Sequence, residues 1–299
     1  MSQSSDPRES LAAYAQAPSP QIFSAAQYAR FYATVPSVAN EAVSVWYARG
    51  QNFVVGYVES RAGGLIERPD QVDEYAILSL DPEVNIEVEW EGQIYALPGA
   101  SLTFVPAGTS RVRIVSAGRV TVMLSTQNAD VCALCVNRDA YTTPNINIPD
   151  FEPWPDPVDG AKVRNYSLDV PDEPGRFGRI WRCSTFMINV LPPQVGPRDV
   201  TKLSPHHHDS FEQGSLALEG AFTHHIRWPW NSNLTTWRED DHEHCASPSL
   251  AVIPPPAIHT SQGMDQGVNQ LIDIFSPPRM DFSQKAGWVL NADDYPLPG

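Results

Sequence analysis

The sequence contains few cysteines, few basic residues and no long apolar run. Four cysteines among 299 residues are too few for a scaffold held together by disulfides. No stretch approaches the roughly 20 apolar residues that a membrane-spanning helix requires. Residues 1–19 also lack the basic and apolar regions of a signal peptide. We therefore expect a cytoplasmic protein whose cysteines are reduced.

Basic residues are outnumbered by acidic ones. Lys and Arg together number 20 against 35 Asp and Glu, which leaves a formal net charge of −15. Nucleic acids and anionic membranes both bind through basic surfaces. The charge balance therefore predicts neither as a partner, whereas a small-molecule substrate, even an anionic one, is compatible with it.

Histidine is missing from residues 1–205, and all eight histidines lie between His206 and His259. Histidine is the commonest metal ligand and the side chain that titrates nearest to neutral pH. The clustering therefore predicts one metal or acid/base site, placed in the second half of the chain.

Proline is abundant: its 28 residues are about twice the usual share. Such a density disfavours long helices and suits the turns of an all-β protein. One helix is predicted at residues 24–34, with Ser24 as its N-cap and Pro36 beyond its end. The chain thus divides into five segments. They are a helical N-terminal arm (residues 1–42), a β domain (43–142), a proline-rich connector (143–178), a second β domain (179–282) and a tail (283–299).

A short pattern occurs in both β domains, at residues 98–111 and 247–259. Each copy has an apolar strand, a turn beginning with proline, and a polar residue shortly afterwards. In the first copy this residue is Arg111, and in the second it is His259. Such an internal repeat predicts a duplicated domain.

Three histidines have the spacing of metal ligands. On a strand, His206 and His208 would project from the same face, about 6.5 to 7 Å apart along the chain. A turn follows, and His259 can add a third imidazole from a later strand. Imidazoles with an oxygen ligand suit iron, manganese, nickel, copper or zinc better than calcium or magnesium.

These residues resemble the two motifs of the cupin family. The match is carried by seven positions: His206, His208, Gln213 and Gly220 in the first motif, then Pro254, Pro256 and His259 in the second. The second motif departs from the family, because Pro256 stands where cupins have glycine. The resemblance implies an all-β bicupin of two jelly-roll barrels, and because cupins commonly dimerise, a homodimer.

The resemblance also implies a fourth metal ligand, for which two residues compete. Counting back from Gly220 points to Gln213, and a shorter spacing after His208 points to Glu212. If Gln213 faces inward, the small residues Ser215 and Ala217 do too, which leaves room for a substrate. We favour Gln213.

The first barrel is expected to have lost its metal. Residues 67–71 stand where its two histidines should be, and Arg111 stands in place of the third. We expect this barrel to be structural or dimerising. An alternative is a pocket for a small acid that uses Arg111 and Glu74.

Two further residues are candidates for catalysis. On the strand after Gly220, His225 and Arg227 share one face, and they would act as a proton shuttle and an anion clamp if that face lined the pocket. The alternative is that they lie on a solvated edge.

Two other polar patterns are expected to have no metal-binding or redox role. Residues 240–245, which include His242 and His244, read as a solvated polar loop. Cys132 and Cys135 form a lone C-x-x-C, interpreted as two buried thiols in a strand.

The resemblance favours a metal-dependent enzyme, most specifically a non-heme iron dioxygenase acting on a small hydroxy-carbonyl, diketone or aromatic acid. Fe²⁺ is the favoured metal, with Mn²⁺, Ni²⁺, Zn²⁺ and Cu²⁺ as alternatives. A non-redox lyase, isomerase or decarboxylase of a small organic or sugar acid is the competing hypothesis. A non-catalytic binding cupin is another, since one fold hosts many functions.

Overall fold

The computed structural model describes residues 23–231 and 233–299, so the beginning of the predicted N-terminal arm lies outside the described residues. Within this part, strands dominate. They are β1 to β21, at Gln27–Arg30, Val38–Ala39, Val43–Arg49, Phe53–Ser60, Gly64–Gln71, Tyr75–Ser79, Ile86–Trp90, Gln93–Leu97, Ser101–Val105, Gly108–Ile114, Gly118–Ser125, Arg164–Ser167, Arg179–Arg182, Met187–Val190, Gln194–Val195, Glu212–Glu219, Ala221–Arg227, Asp241–Ala246, Ser249–Ile253, Ile258–Gly263 and Val268–Ser276.

Helices are short. Among the described residues, the α-helices α1 and α2 cover Ala129–Cys132 and Met280–Ser283, and 3-10 turns cover Phe31–Ala33, Arg138–Tyr141 and Leu234–Thr236. No helix of these residues is both long and apolar enough to cross a membrane. The predicted all-β fold class is confirmed.

Four antiparallel sheets form two β-sandwich units. The first barrel consists of a seven-stranded sheet in the order β12-β9-β6-β11-β4-β3-β2 and a four-stranded sheet in the order β5-β10-β7-β8. The second barrel consists of a seven-stranded sheet, β1-β19-β16-β21-β14-β13 with β15 paired to β21, and a three-stranded sheet, β18-β17-β20.

The two large sheets pack against each other through the largest apolar cluster of the described residues. Alternation along β4 shows how: Phe53 and Tyr57 point into this shared cluster, whereas Val54 and Val58 point into the interior of the first barrel. Both faces of the strand are buried, which explains its unbroken apolar sequence. The same cluster contains Leu216 and Leu218 of the second barrel.

The strand β1 crosses from one barrel to the other. It precedes the first barrel in sequence but pairs with β19 of the second. Two contacts hold β1 further: the Tyr28 hydroxyl donates to Asp241 at 3.1 Å, and Arg30 is ion-paired with Glu243. β12 follows the first barrel in sequence and extends the sheet of that same barrel by pairing with β9.

The strands β1 and β12 correct two predictions. The helix predicted at residues 24–34 is wrong, because Gln27–Arg30 is a strand followed by a single 3-10 turn. Pairing with the free edge of β19 satisfies the backbone there, and such tertiary contacts override a weak helical preference. The predicted connector also contains a strand, Arg164–Ser167.

Two local predictions are also wrong. Cys132 ends the short helix α1 and Cys135 follows it, so these buried free thiols do not lie in a strand. The segment predicted as a polar loop is the strand Asp241–Ala246. Its pairing with β17 supplies the hydrogen bonds that its polar sequence did not suggest.

Candidate metal centre

Three histidines of the second barrel converge, with His208 and His259 buried and His206 exposed. His206 and His259 form an isolated antiparallel bridge, with backbone N–H to O distances of 3.1 and 2.7 Å. This bridge fixes the segment before β16 against β20. The nitrogen ligand atoms of His206, His208 and His259 all lie within 4.8 Å of one another.

Backbone hydrogen bonds orient two of these rings. His206 donates from Nδ1 to the carbonyl of Ser204 at 2.9 Å, and His259 donates from Nδ1 to the carbonyl of Ala257 at 2.9 Å. The donation leaves the Nε2 lone pairs free. This is the arrangement by which proteins prepare imidazoles to bind a metal.

Gln213 completes the cluster. Its Oε1 lies 2.8 Å from Nε2 of His208 and 3.2 Å from Nε2 of His259. Its amide nitrogen donates to Ser215 Oγ at 3.0 Å and to Asp273 Oδ1 at 3.2 Å. Because the amide nitrogen has acceptors on the far side, the oxygen is directed toward the imidazoles.

Glu212, the competing candidate, is turned away from the imidazoles. Its carboxylate accepts from the Tyr141 hydroxyl at 2.7 Å and from the Gln51 backbone N–H at 2.6 Å, which places it between the barrels. Burial raises the pKa of Glu212 to about 7. Successive residues of a strand face opposite sides, so Gln213 and Glu212 cannot both reach the cluster.

Burial also determines the charge of the imidazoles. It lowers the pKa of His208 to about 3 and that of His259 to about 4, with neighbouring cationic groups adding to the effect. The pKa of His206 is lowered for the same reason. All three rings are therefore neutral at neutral pH, as metal ligation requires.

The donor set fits a divalent transition metal. Three neutral imidazoles with nitrogens within 4.8 Å of one another, and one amide oxygen within 3.2 Å of two of these nitrogens, agree with the preferences of iron, manganese, nickel, copper and zinc. Asp273 Oδ1 also accepts a hydrogen bond from Ser215 Oγ at 3.0 Å. This buried carboxylate therefore orients both the Gln213 amide and the Ser215 hydroxyl that the amide contacts.

A cavity of about 290 Å³ adjoins the cluster. His206, His259 and Gln213 form part of its wall. Its apolar lining is Phe177, Leu191, Phe222 and Leu271. Its size suits a small organic molecule rather than a polymer.

Arg198 also lines this cavity. Its guanidinium donates to the Ser261 carbonyl at 3.0 Å, to Ser204 Oγ at 2.9 Å and to the Lys202 carbonyl at 3.4 Å. All these acceptors are uncharged, so the cation has no carboxylate partner among them. Sequence reasoning missed Arg198, because it lies on a loop after β15 where no periodicity indicates which way a side chain points.

The two residues predicted to be catalytic do not face the cavity, and this part of the prediction is corrected. Arg227 is ion-paired with Asp240 at 2.9 Å, and its side chain is 72 % exposed. His225 is hydrogen-bonded to His242 on the same outer face of the sheet. The inward residue of this strand is His224, which is fully buried.

The sequence contained the signal for this orientation. Phe222, Ile226 and Trp228 alternate along β17, and all three are buried. His224 belongs to their face. Its Nδ1 lies 2.8 Å from Ser261 Oγ, and Ser261 lines the cavity.

The first barrel holds different residues at the corresponding place. Arg68 and Ser110 are paired across β5 and β10 as His206 and His259 are paired, and both side chains are buried. Arg111, predicted to replace the third histidine, faces outward and bonds Glu67 at 3.1 Å.

The predicted pocket of Arg111 with Glu74 is not formed, because the two residues lie apart. Glu74 is buried and accepts from the Tyr295 hydroxyl at 2.7 Å, whereas the side chain of Arg111 is 57 % exposed.

Comparison with known proteins supports the fold. No protein-family profile and no curated protein matches the sequence. Among solved structures, AerE from Microcystis aeruginosa is similar with a TM-score of 0.53 and 13 % identity, over 86 % of this chain and 99 % of that one.

Two other structures are similar at a TM-score of 0.50. The 7S globulin of Momordica charantia has 12 % identity, over 83 % of both chains. A mutant of Bacillus subtilis oxalate decarboxylase has 8 % identity, over 85 % of this chain and 77 % of that one. These neighbours are an enzyme and a globulin among others, so the likeness carries no single function. It does show that the chain has the cupin jelly-roll fold.

Proposed function

We propose that the protein is a metal-dependent bicupin enzyme whose single intact metal site lies in the second barrel. The observation that carries the proposal is the convergence of three imidazoles and the Gln213 oxygen at the wall of a small cavity. Four protein ligands would leave room for a substrate that binds through two adjacent oxygens. A bound divalent metal would supply Lewis acidity to those oxygens and, as Fe²⁺, reactivity with O₂.

Arg198 supports a substrate that carries a carboxylate. Arg198 lines the cavity, and the hydrogen bonds of its guanidinium to the loop and to β20 hold the group in place without neutralising it. A fixed guanidinium is well suited to bind a carboxylate. We propose that Arg198 binds one end of the substrate while the other end reaches the imidazoles.

The apolar wall and the buried polar groups have separate roles. Phe222 and Leu271 give the cavity a buried apolar wall, which would strengthen the attraction between a substrate carboxylate and Arg198. Asp273 holds the Gln213 amide in its inward orientation. The chain therefore binds, orients and shields the substrate beside the metal site.

The reaction we favour is dioxygenation of a small oxygenated acid by an Fe²⁺ form of the enzyme. A non-redox lyase, isomerase or decarboxylase is the second candidate, and the ligand set supports it. Three imidazoles and Gln213 are all neutral, so a bound metal would retain its full positive charge and polarise a carbonyl strongly.

The metal site can be tested with a matched pair of variants. His208→Ala should lose both metal and turnover, because it removes a buried ligand from the cluster. His207→Ala is the control, since this neighbour is half exposed and faces Asp209 at 3.7 Å. Metal content, circular dichroism and turnover of a panel of small hydroxy and oxo acids are measured for both. Equal metal content in the two variants would reject the site.

Oxygen separates the two candidate reactions. The Fe²⁺ enzyme is assayed with an acid that it turns over, in air and under strict anaerobiosis. Oxygen uptake in proportion to product supports the dioxygenase. Full turnover without oxygen would exclude it in favour of the non-redox reaction.

A further inference from the structure

Two imidazoles on the outer face of the three-stranded sheet lie apart from the cavity. His225 of β17 and His242 of β18 are directly opposite each other in the antiparallel pair. Their Nδ1 atoms are 2.8 Å apart, and their ring centroids are 5.0 Å apart. His242 is exposed and His225 is half-buried, so a hydrated cation can reach both.

Gln262 of β20 orients the first of these rings. Its Oε1 lies 3.1 Å from Nε2 of His225. When that nitrogen donates its proton to Gln262, the lone pair of His225 is on Nδ1 and is directed at His242. Metal-binding histidines are commonly held in this way, with the second ring nitrogen donating to an oxygen.

The two nitrogens are close enough for one metal to bind both. They are joined by a hydrogen bond of 2.8 Å, and a shared metal with bonds of about 2.0 Å requires about 2.8 to 3.3 Å between them, so a metal can replace the shared proton with little movement. Imidazole suits copper, nickel and zinc, and Cu²⁺ binds nitrogen ligands most strongly among the divalent metals of this row.

A carboxylate stands beside the pair. Asp240 lines the same shallow pocket of about 150 Å³ as His225 and His242, although it is ion-paired with Arg227. The pocket therefore offers these two imidazoles, one acidic neighbour and open space for water ligands, and His259 of the inner cluster also lines it. β18 is the edge strand of its sheet, so a metal held across the pair would tie this edge to β17.

We propose that His225 and His242 form a second transition-metal site, with Cu²⁺ as the preferred ion, on the outer face of the second barrel. The site lies on the opposite side of β17 from His224 and the cavity. It does not depend on the function proposed for the cavity.

Copper titration of the full chain, followed by equilibrium dialysis and electron paramagnetic resonance, tests this proposal. The wild type should bind two Cu²⁺ per chain, one in each site, and His242→Ala should bind one. His244→Ala is the matched control, because this exposed residue shares the face and strand of His242 but is placed opposite Thr223. It should bind two.

Two more variants distinguish the inner from the outer copper site and test whether Gln262 orients His225. His208→Ala should lose the inner copper and retain the outer one, with spectral coupling to two nitrogens. Gln262→Leu should weaken the outer site about 10-fold or more, because the orientation of His225 is lost. The proposal is overturned if His242→Ala and His225→Ala each still bind two Cu²⁺, or if His244→Ala loses the second copper to the same extent.

Discussion

The two barrels share a fold but differ in what fills their interiors. In the first barrel, one continuous apolar cluster includes Tyr75, Ile77, Val112 and Ile114. In the second, the described apolar residues form three separate clusters around the histidines and the cavity. The comparison indicates that the second barrel has replaced part of its core with a polar site.

Strand registers allow the interiors to be compared position by position. β6 lies between β9 and β11 as β16 lies between β19 and β21, and β10 pairs with β7 as β20 pairs with β17. At six positions an apolar or aromatic side chain of the first barrel corresponds to a polar residue or glycine of the second. In matching order, the first barrel has Tyr75, Ile77, Val122, Val88, Val112 and Ile114, and the second has Gln213, Ser215, Asp273, His224, Ser261 and Gly263.

These exchanges explain the cavity as well as its polarity. Ser261 and Gly263 are much smaller than the Val112 and Ile114 that occupy their places in the first barrel, and both line the cavity. Gln213 replaces the aromatic ring of Tyr75, whose hydroxyl lies 2.9 Å from Ser110 Oγ. The first barrel therefore fills with side chains the space that the second leaves for a ligand.

One polar feature is retained in both barrels. Glu74 precedes Tyr75 and Glu212 precedes Gln213, and both glutamates are buried. Each accepts a hydrogen bond of 2.7 Å from a tyrosine hydroxyl in the segment that follows the other barrel: Tyr295 for Glu74 and Tyr141 for Glu212. Burial raises the pKa of each carboxyl to about 7. Their shared position between the large sheets indicates a role in packing rather than in the chemistry of one barrel.

The largest effect is expected when the first barrel receives a residue of the second. Ile77→Ser introduces the equivalent of Ser215 into a fully buried apolar position. The free energy of unfolding should fall by about 4 kcal/mol, because a cavity and an unpaired hydroxyl are created together. Denaturant unfolding measures this, and Ile77→Val, at about 1 kcal/mol, is the control. Equal losses for the two variants would mean that the apolar interior tolerates a polar group.

A smaller effect is expected from Glu74, with a defined pH dependence. Burial is the main cause of its pKa near 7, opposed by the Tyr295 hydrogen bond, the Ser184 backbone and Arg164, and assisted by Asp156. The folded chain therefore holds this proton more tightly than the unfolded chain, whose carboxyl keeps the ordinary pKa of 4.5. The resulting stabilisation is complete below pH 4.5 and is lost as the pH rises through 7.

Comparison with Glu74→Gln isolates this contribution, since the other buried acids are common to both proteins. The unfolding free energy of the variant minus that of the wild type should rise by up to about 3 kcal/mol from pH 5 to pH 8, because only the wild type loses the stabilisation from the Glu74 proton. Urea unfolding at both pH values gives the difference. A difference that does not change with pH would show that Glu74 is ionised in the folded chain below pH 5.

A third variant gives the second barrel a residue of the first. Asp273→Val restores the equivalent of Val122 and removes the acceptor that orients Gln213. Metal affinity should fall about 10- to 100-fold, which is the usual cost of removing such a supporting group. Asp273→Asn keeps an oxygen acceptor and should retain most of the affinity. If the valine variant binds metal as tightly as the asparagine variant, the orientation of Gln213 does not depend on this residue.

The residues of the site that could be predicted from the sequence are those placed by short-range spacing along the chain. His206, His208 and Gln213 lie on one short segment, and His259 follows a proline turn, so their convergence required little beyond strand geometry. Arg111 was misassigned because the first barrel is one residue shorter here. Ser110, which is paired with Arg68 as His259 is paired with His206, comes four positions after Pro106, whereas His259 comes five after Pro254. The alternation of β10 then leaves Ser110 buried and Arg111 exposed.

Contacts between residues far apart in the chain could not be predicted from the sequence, for a different reason. The strand at Gln27–Arg30 pairs with Ser249–Ile253, and no local pattern records a partner so distant. Arg198 reaches the cavity from a loop, where side chains follow no period. His225 was preferred to His224 although the apolar neighbours Phe222 and Ile226 already marked the buried face of the strand.

The smallest effect is expected at Tyr75, the counterpart of Gln213, the proposed fourth metal ligand. Tyr75→Phe removes a buried hydroxyl that is 2.9 Å from Ser110 Oγ, and it keeps the ring that fills the barrel. Unfolding free energy should fall by about 1 kcal/mol, the usual net worth of one such hydrogen bond. Metal content should not change, because the proposed site lies wholly in the second barrel. A lower metal content in this variant, measured alongside thermal unfolding, would mean that the first barrel still contributes to metal binding.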